Sequence, residues 1–232
     1  MRPEPRPLAS AEAGQAPPPE PASRLLDGPD NAPATLVLAH GAGAPMDSPF
    51  MEAIAAGLAE RGWRVLRFEF PYMARLRLSG RKAAPDALPK LQESFRAVVA
   101  EAAGQGPLII GGKSLGGRVA SLLADELGPS GVRGCLCLGY PFHPPGRPSQ
   151  LRVDHLAVLA TPTLILQGER DPFGRREEVQ TYALSPRVQV SWIPSGDHSF
   201  QPSRASGRSD VENWALAVAL ADAFCHDLLR PG

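Results

Sequence analysis

The stretch LIIGGKSLGG, residues 108–117, is the part of the sequence that best indicates the fold. Its first three residues are apolar and predict a buried strand, and apolar positions recur at helical spacing over residues 119–127. Between them the pattern Gly-x-Ser-x-Gly, at residues 112–116, is typical of a tight turn that presents a serine hydroxyl at the end of a sheet. Ser114 is therefore a candidate nucleophile, and the alternative is an ordinary glycine-rich turn.

The Gly-Lys-Ser sequence at residues 112–114 also occurs in phosphate-binding loops. That motif requires another glycine five positions before Gly112, and this position holds Pro107, with Gly106 one residue too early. Residues 108–110, which lie in between, are typical of a strand and not of the flexible loop that surrounds a phosphate. We therefore do not expect a nucleotide site here.

The alternation of short apolar strands and amphipathic helices continues on both sides of this stretch. Strands are predicted at residues 34–39, 64–70, 108–110, 132–138, 163–167 and 188–193, with a short edge strand at 24–26. Helices are predicted from Ser48-Pro49 to Gly62, at residues 88–104, 119–127 and 175–183, and from Ser209, where Glu212 completes a capping box. This order indicates the α/β class: a mainly parallel sheet of about six to seven strands with helices on both faces.

Composition excludes several classes of partner. The chain has 232 residues, and its 24 Lys and Arg balance its 24 Asp and Glu, so it has no general attraction to nucleic acid or to an acidic membrane surface. No apolar run approaches the roughly 18 residues of a membrane span. Two of the 3 cysteines, Cys135 and Cys137, are too close on one strand to pair, which favours a reducing, cytoplasmic location.

The 26 prolines are unevenly distributed. Seven of them lie in the first 21 residues, among Ala, Glu, Ser, Gly and Gln. Such a segment cannot bury enough apolar area to offset the entropy lost on ordering. We expect residues 1–22 to be a disordered tail and residues 23–232 to form one folded domain.

In a parallel sheet, ligand-binding and catalytic residues lie at the carboxyl ends of the strands. Asp171 follows the strand at 163–167 and His198 follows the last strand, so a serine, an acid and a base occur in the order found in one large class of hydrolases. Each could also be an ordinary capping or loop residue. Glu169 and Asp197 remain rival acids, and the other histidines are His40, His143, His155 and His226.

The segment HGAGA, residues 40–44, follows the strand at 34–39. Its small residues allow a backbone amide to point at a reacting carbonyl oxygen, beside the amide of Leu115. Ala42 is the first choice for this donor and Gly43 the second, while His40 is interpreted as a residue that stabilises the segment. The alternative is a plain strand-to-helix turn.

The motifs at the strand ends together resemble those of the α/β-hydrolase fold. They are HGAGA (40–44), GGKSLGG (111–117), GERDPFG (168–174) and GDHSF (196–200). Residues 24–230 resemble the small, lid-less, dienelactone-hydrolase-like predicted hydrolases and a related domain of an animal histone-acetyltransferase complex subunit. The resemblance implies an α/β-hydrolase domain with Ser114 as nucleophile, Asp171 as acid and His198 as base. Dienelactone hydrolases have cysteine where Ser114 stands, so their substrate is not implied.

Further side chains after strand ends are candidates for the surroundings of a substrate. Those expected to line a pocket are Tyr72, Met73, Phe142, His143, Phe173 and Phe200. The cations Arg75, Arg77, Arg81 and Lys82 are interpreted as a solvated basic loop, or as an attraction for an anionic ligand. Lys113 could bias the pocket toward anions or form a structural ion pair. Residues 139–158 are too few for a sizeable lid.

The favoured hypothesis is a serine hydrolase that cleaves a small carboxylic ester, lactone or thioester through an acyl-enzyme intermediate. This mechanism requires no metal and no cofactor, and the expected partner is a small-molecule substrate. Two alternatives remain: a binding module on a hydrolase-like fold, and an acyltransferase that uses the same serine.

Overall fold

The computed structural model describes residues 24–81 and 84–230, where seven strands form one sheet with helices on both faces. The strands are β1 (Arg24–Asp27), β2 (Thr35–Ala39), β3 (Arg64–Phe68), β4 (Leu108–Lys113), β5 (Val132–Leu138), β6 (Thr163–Gly168) and β7 (Val188–Ile193). The helices are α1 (Pro49–Ala59), α2 (Pro71–Ser79), α3 (Leu88–Ala102), α4 (Leu115–Leu123), α5 (Arg176–Val179) and α6 (Asp210–Leu229). The predicted tail, residues 1–22, lies outside the described residues.

The order of the strands places two loops side by side. The sheet runs β1-β3-β2-β4-β5-β6-β7, and β1 is antiparallel to its neighbour while the other pairs are parallel. The strand that follows β2 in sequence, β3, lies on one side of β2 in the sheet, and β4 and all later strands lie on its other side. Ala39 at the end of β2 is paired with Gly112 of β4. The loop after β2 and the turn after β4 therefore begin next to each other, where ligands bind in open α/β sheets.

Alternating side chains of the strands fill two hydrophobic layers. Val37 and Ile110 belong to the layer that α3 and α4 cover, whereas Leu36 and Ile109 belong to the layer that α1 and α6 cover. All five residues of β2 are buried, as expected of a central parallel strand. The predicted mainly parallel sheet with helices on both faces is confirmed.

Several element boundaries differ from the predictions. β4 continues to Lys113, so the first glycines of the serine motif belong to the strand, and β3 ends at Phe68. α4 ends at Leu123, and residues 124–127 form turns. α5 is a helix of 4 residues and not the longer one expected at 175–183. The capping box at the start of α6 is confirmed.

The expectation of a basic loop after β3 is wrong, because residues 71–79 form the helix α2. Pro71 occupies the first turn, where its missing N–H costs no hydrogen bond. Gly80 ends the helix in the left-handed conformation, with φ of 66°, and donates to the carbonyl of Leu76. Arg81 is exposed after the helix, and Lys82 lies outside the described residues.

The two arginines of α2 are also paired. Arg77 donates to both oxygens of Asp47, at 2.9 and 2.8 Å, and to the fully buried carboxylate of Glu69. Arg75 donates to Asp86 at 2.7 Å. Charge-assisted pairs of this kind use the cations to fix α2 against the loops beside it.

The connection between β5 and β6 carries no lid. Residues 139–162 contain only turns and bends, as the length of this segment predicts. In residues 24–81 and 84–230, no helix is both long and apolar enough to cross a membrane.

Candidate active site

Ser114 occupies the sharp turn between β4 and α4. Its backbone has φ of 51° and ψ of −110°, which is unusual for a residue with a side chain, and its side chain is partly exposed. A Cβ atom on Gly112 would lie 2.1 Å from the carbonyl oxygen of Ala39, and one on Gly116 would lie 2.3 Å from the same oxygen. Both glycines of the motif are therefore required by the close approach of the end of β2.

The three residues of the sequence hypothesis form one chain of hydrogen bonds. The Oγ of Ser114 lies 2.8 Å from Nε2 of His198, and Nδ1 of His198 lies 2.8 Å from Oδ2 of Asp171. A carboxylate can only accept, so the ring carries its proton on Nδ1 and offers the Nε2 lone pair to the serine hydroxyl. This is the arrangement in which an imidazole can remove the proton of a serine.

The surroundings of His198 favour its neutral form. Burial lowers the pKa of His198, the hydrogen bond that the ring donates to Asp171 opposes this, and the positive charge of Lys113 lowers the pKa further. The net direction is downward from the usual value of 6.5. His198 is therefore uncharged at neutral pH and able to accept a proton.

Gln167 was missed by the sequence analysis. Its fully buried side chain donates to Oδ2 of Asp171 at 2.9 Å and to the carbonyls of Tyr140 and Gly174, and it accepts from the amide of Tyr140 at 2.7 Å. These bonds fix the side-chain amide, which in turn fixes the carboxylate of Asp171. A glutamine directly after the apolar run Leu164–Leu166 of a buried strand was the signal available in the sequence.

Phe173 contacts the histidine directly. Its ring stacks on the imidazole of His198, with 4.1 Å between the centroids and 28° between the planes. Its amide donates to Oδ1 of Asp171 at 2.9 Å. Of the aromatic residues expected near a substrate, Phe173 is partly exposed and lies at the three-residue chain.

The other residues expected to line a pocket are more buried than Phe173. Phe142 and Phe200 have no exposed surface and belong to the hydrophobic layers on opposite faces of the sheet, so the structure does not present them to a substrate as the sequence predicts. Met73 is 3% exposed and packs in the same layer as Phe142. His143 is 2% exposed, and its Nδ1 lies 2.9 Å from the carbonyl of Pro144.

Tyr72 is also buried, but it contacts the loop after β2. Its hydroxyl lies 3.2 Å from the carbonyl oxygens of both Gly41 and Ala42, to which it donates. His40 fixes the same loop, because its Nδ1 lies 2.6 Å from the Gly41 carbonyl and its Nε2 accepts from the amide of Phe70. Burial lowers the pKa of His40, so its ring stays neutral.

The loop reaches the serine. A Cβ atom on Gly41 would lie 3.7 Å from the Cβ of Ser114. In the described part of the chain, the amides of Ala42, Gly43 and Leu115 donate to no protein acceptor. Tyr72 holds the carbonyls of the same loop.

The rival acids have other partners. Asp197 accepts from the amides of Ser199 and Gln201 through Oδ1, which shapes the loop that carries the histidine. Glu169 accepts from the amide of Ser195 and pairs with Arg176. Neither carboxylate faces the imidazole as Asp171 does.

A second serine and histidine pair does not belong to the chain of hydrogen bonds formed by Asp171, His198 and Ser114. Ser121 is 1% exposed, its hydroxyl donates to the Arg118 carbonyl within α4, and its oxygen lies 2.9 Å from Nε2 of His155. A serine committed to its own helix and without access to solvent cannot attack a substrate. Within residues 24–81 and 84–230, no three His, Cys, Asp or Glu side chains are grouped closely enough to hold a metal ion.

Known proteins share this architecture. The model of a family described as an alpha/beta hydrolase domain matches residues 32–226. A dienelactone hydrolase from Anabaena variabilis is 21% identical, with a TM-score of 0.68 over 90% of this chain and 93% of that one. A serine hydrolase without a lid from Xanthomonas campestris is 20% identical, with a TM-score of 0.65 over 92% of this chain and 98% of that one.

A third structure is Est1E from Butyrivibrio proteoclasticus with ferulic acid bound. It is 18% identical, with a TM-score of 0.66 over 90% of this chain and 95% of that one. At these identities the likenesses between structures show the fold.

Proposed function

The chain belongs to the alpha/beta hydrolase domain family, and we propose that it is a serine hydrolase that cleaves a small ester-like substrate through an acyl-enzyme intermediate. The substrate class is a carboxylic ester, lactone or thioester. The observation that carries the proposal is the continuous chain of hydrogen bonds from Asp171 through His198 to Ser114.

In the proposed first step, Ser114 attacks the carbonyl carbon of the substrate. His198 takes the hydroxyl proton on Nε2, and Asp171 stabilises the imidazolium that results. The alcohol or thiol leaves with that proton, and the acyl group remains on the Ser114 oxygen. Water, deprotonated by His198, then releases the acid and restores the serine.

The negative oxygen of each tetrahedral intermediate needs donors that are in place before the reaction. The amides of Leu115 and Ala42 are proposed to supply them, with Gly43 as the second choice in the loop. Their lack of protein acceptors in the described part of the chain supports this role. Donors held by folded backbone need no reorganisation when the charge develops.

The open side of the site supports small or exposed substrates. Residues 139–162 add turns and bends above the sheet and no helical cap. Phe173 is the predicted pocket residue that is both partly exposed and in contact with the imidazole. We propose that it contacts the acyl or leaving group.

Two further proposals concern organisation and location. Residues 23–232 are proposed to form the catalytic domain, with residues 1–22 outside the chemistry. The three cysteines are free and buried, and the Sγ atoms of Cys135 and Cys137 lie 3.8 Å apart without a bond. This supports a reducing compartment such as the cytoplasm.

Hydrolysis of short p-nitrophenyl esters tests the function. We expect the wild-type protein to be active and Ser114→Ala to lose activity by at least about a thousandfold. Ser121→Ala is the matched control, because it removes the hydroxyl of the second serine and histidine pair, and its rate should stay within a few-fold of wild type. A folded wild-type protein without activity on esters, lactones and thioesters would support a binding module. An unchanged rate in Ser114→Ala would refute the mechanism.

A further inference from the structure

Lys113, the residue before Ser114, is buried in an unusual place. Lys113 is 8% exposed, and its ammonium donates to the backbone carbonyl of His198. Nζ lies 5.5 Å from the centroid of the Phe50 ring, and a Cβ atom on Gly139 would lie 2.9 Å from Nζ. Lysines are almost never this buried without a partner, because removal of the ammonium from water is costly.

The ammonium has no carboxylate in direct contact. In the described residues, no Asp or Glu oxygen lies within 4.0 Å of Nζ, so the structural ion pair considered for Lys113 is not formed. Asp171 and Asp197 act on it from a longer distance. The direct partner of the buried charge is therefore the main chain of the residue that carries the candidate base.

We infer that Lys113 is a positioning residue that acts through His198: its hydrogen bond fixes the loop that carries the imidazole, and its positive charge disfavours protonation of the ring. This inference rests on the proposed role of His198 as the base. The hydrogen bond ties Lys113 at the end of β4, directly before Ser114, to the loop after β7. The residue directly before Ser114 and the backbone of His198 are thereby joined by one side-chain hydrogen bond.

The electrostatic part follows from the groups around the imidazole. Asp171 and Asp197 favour the charged ring, Lys113 disfavours it, and the Phe173 ring covers one face. A cation close to an imidazole disfavours a second positive charge in the same place. The ring then stays available as a base at lower pH.

Lys113 is itself sensitive to pH. Burial lowers the pKa of Lys113 to about 8, although Asp171 and Asp197 favour its charged form. The ammonium is therefore charged while His198 titrates and loses its charge in mildly alkaline solution. In the wild-type protein, the His198 imidazole should therefore sense both its own protonation and the loss of charge on Lys113.

The test is a titration of the His198 ring by NMR, from about pH 4 to pH 11, with no substrate present. The resonance is assigned from its loss in His198→Asn. In wild type we expect a main transition below the usual histidine value and a second, smaller one near pH 8. A titration that shows no second transition up to pH 11 would overturn the charge coupling, and this result needs no variant of Lys113.

Three substitutions separate charge from structure. Lys113→Gln keeps a donor without the charge, and we expect it to raise the pKa of His198 by at least about half a unit. Lys113→Arg keeps the charge, so the low pKa should persist and the transition near pH 8 should disappear. Lys90→Met, which removes an exposed lysine of α3, is the matched control and should leave both transitions unchanged.

Each outcome has one meaning. Equal His198 pKa values in wild type and folded Lys113→Gln would overturn the inference. If a variant does not fold by circular dichroism, the wild-type titration decides. Since the NMR readout needs no turnover, a wild-type protein that cleaves no ester would refute the proposed function and leave the coupling of Lys113 to His198 measurable.

Discussion

Gln167 donates a hydrogen bond of 2.9 Å to Oδ2 of Asp171, the same oxygen that lies 2.8 Å from His198. The glutamine is fully buried at the end of β6, four residues before the aspartate. One carboxylate oxygen is thus held from two sides, and the second oxygen accepts from the amide of Phe173. The orientation of the acid is therefore set by the strand and the turn together.

Replacement of Gln167 by Met should lower kcat by about tenfold to a hundredfold, because a displaced carboxylate no longer orients the imidazole. Asp171→Asn should cost more, about a thousandfold to ten-thousandfold, since it alters the tautomer of His198. The exposed Gln189 of β7 offers a matched control, and Gln189→Met should leave the rate unchanged. Full activity in a folded Gln167→Met protein would refute this role.

Tyr72→Phe removes the hydroxyl that donates to the carbonyls of Gly41 and Ala42. The loop should then hold its amides less well toward the developing oxyanion. We expect kcat to fall by about tenfold or more, with a smaller change in KM, because the interaction strengthens in the transition state. Tyr182→Phe, which removes a hydroxyl elsewhere, is the control. A change confined to KM would instead place Tyr72 in ground-state binding.

The pH dependence of kcat/KM should follow the protonation of the free enzyme's base. Burial lowers the pKa of His198, and the charge of Lys113 also lowers it, whereas the hydrogen bond to Asp171 raises it. Below that pKa the ring is protonated and cannot accept the serine proton. The acidic limb should therefore have its midpoint below 6.5, the usual histidine value. A midpoint above this value, after correction for spontaneous ester hydrolysis, would contradict the account.

The strand ends and their order along the chain could be predicted from the sequence because they depend on local patterns. A buried parallel strand reads as a short apolar run, and its turn reads as small residues that leave space for a neighbouring backbone. Ser114 follows such a run directly, and Asp171 and His198 lie in the loops that follow β6 and β7. The sheet then brings together positions that are 84 and 27 residues apart.

The features that the sequence did not reveal depend on distant partners. The cations of α2 looked like a solvated loop because their acids lie 8 to 30 residues away. Lys113 looked like a pocket or ion-pair residue, and its observed partner is a backbone carbonyl, which has no signature in sequence. Phe142 and Phe200 follow strand ends, but their side chains point into the packed layers.

Gly116→Ala should destabilise the protein by about 2–3 kcal/mol, because the new Cβ meets the carbonyl oxygens of Ala39 and His40 at 2.3 and 2.8 Å. Backbone atoms of a central strand cannot move aside as a flexible side chain can. Gly128→Ala is the matched control, since a Cβ there has no neighbour within 4 Å, and it should change the stability by less than about 1 kcal/mol. Urea unfolding measures both, and equal losses would contradict the steric explanation.

The central claim, that Ser114 is an activated nucleophile, is tested most directly by covalent labelling with a fluorophosphonate and mapping of the modified peptide by mass spectrometry. We predict that the folded protein is labelled at Ser114, that heat unfolding abolishes the labelling, and that Ser114→Ala removes it while Ser121→Ala does not. A folded protein that stays unlabelled, or one whose label is found on Ser121, would contradict the account.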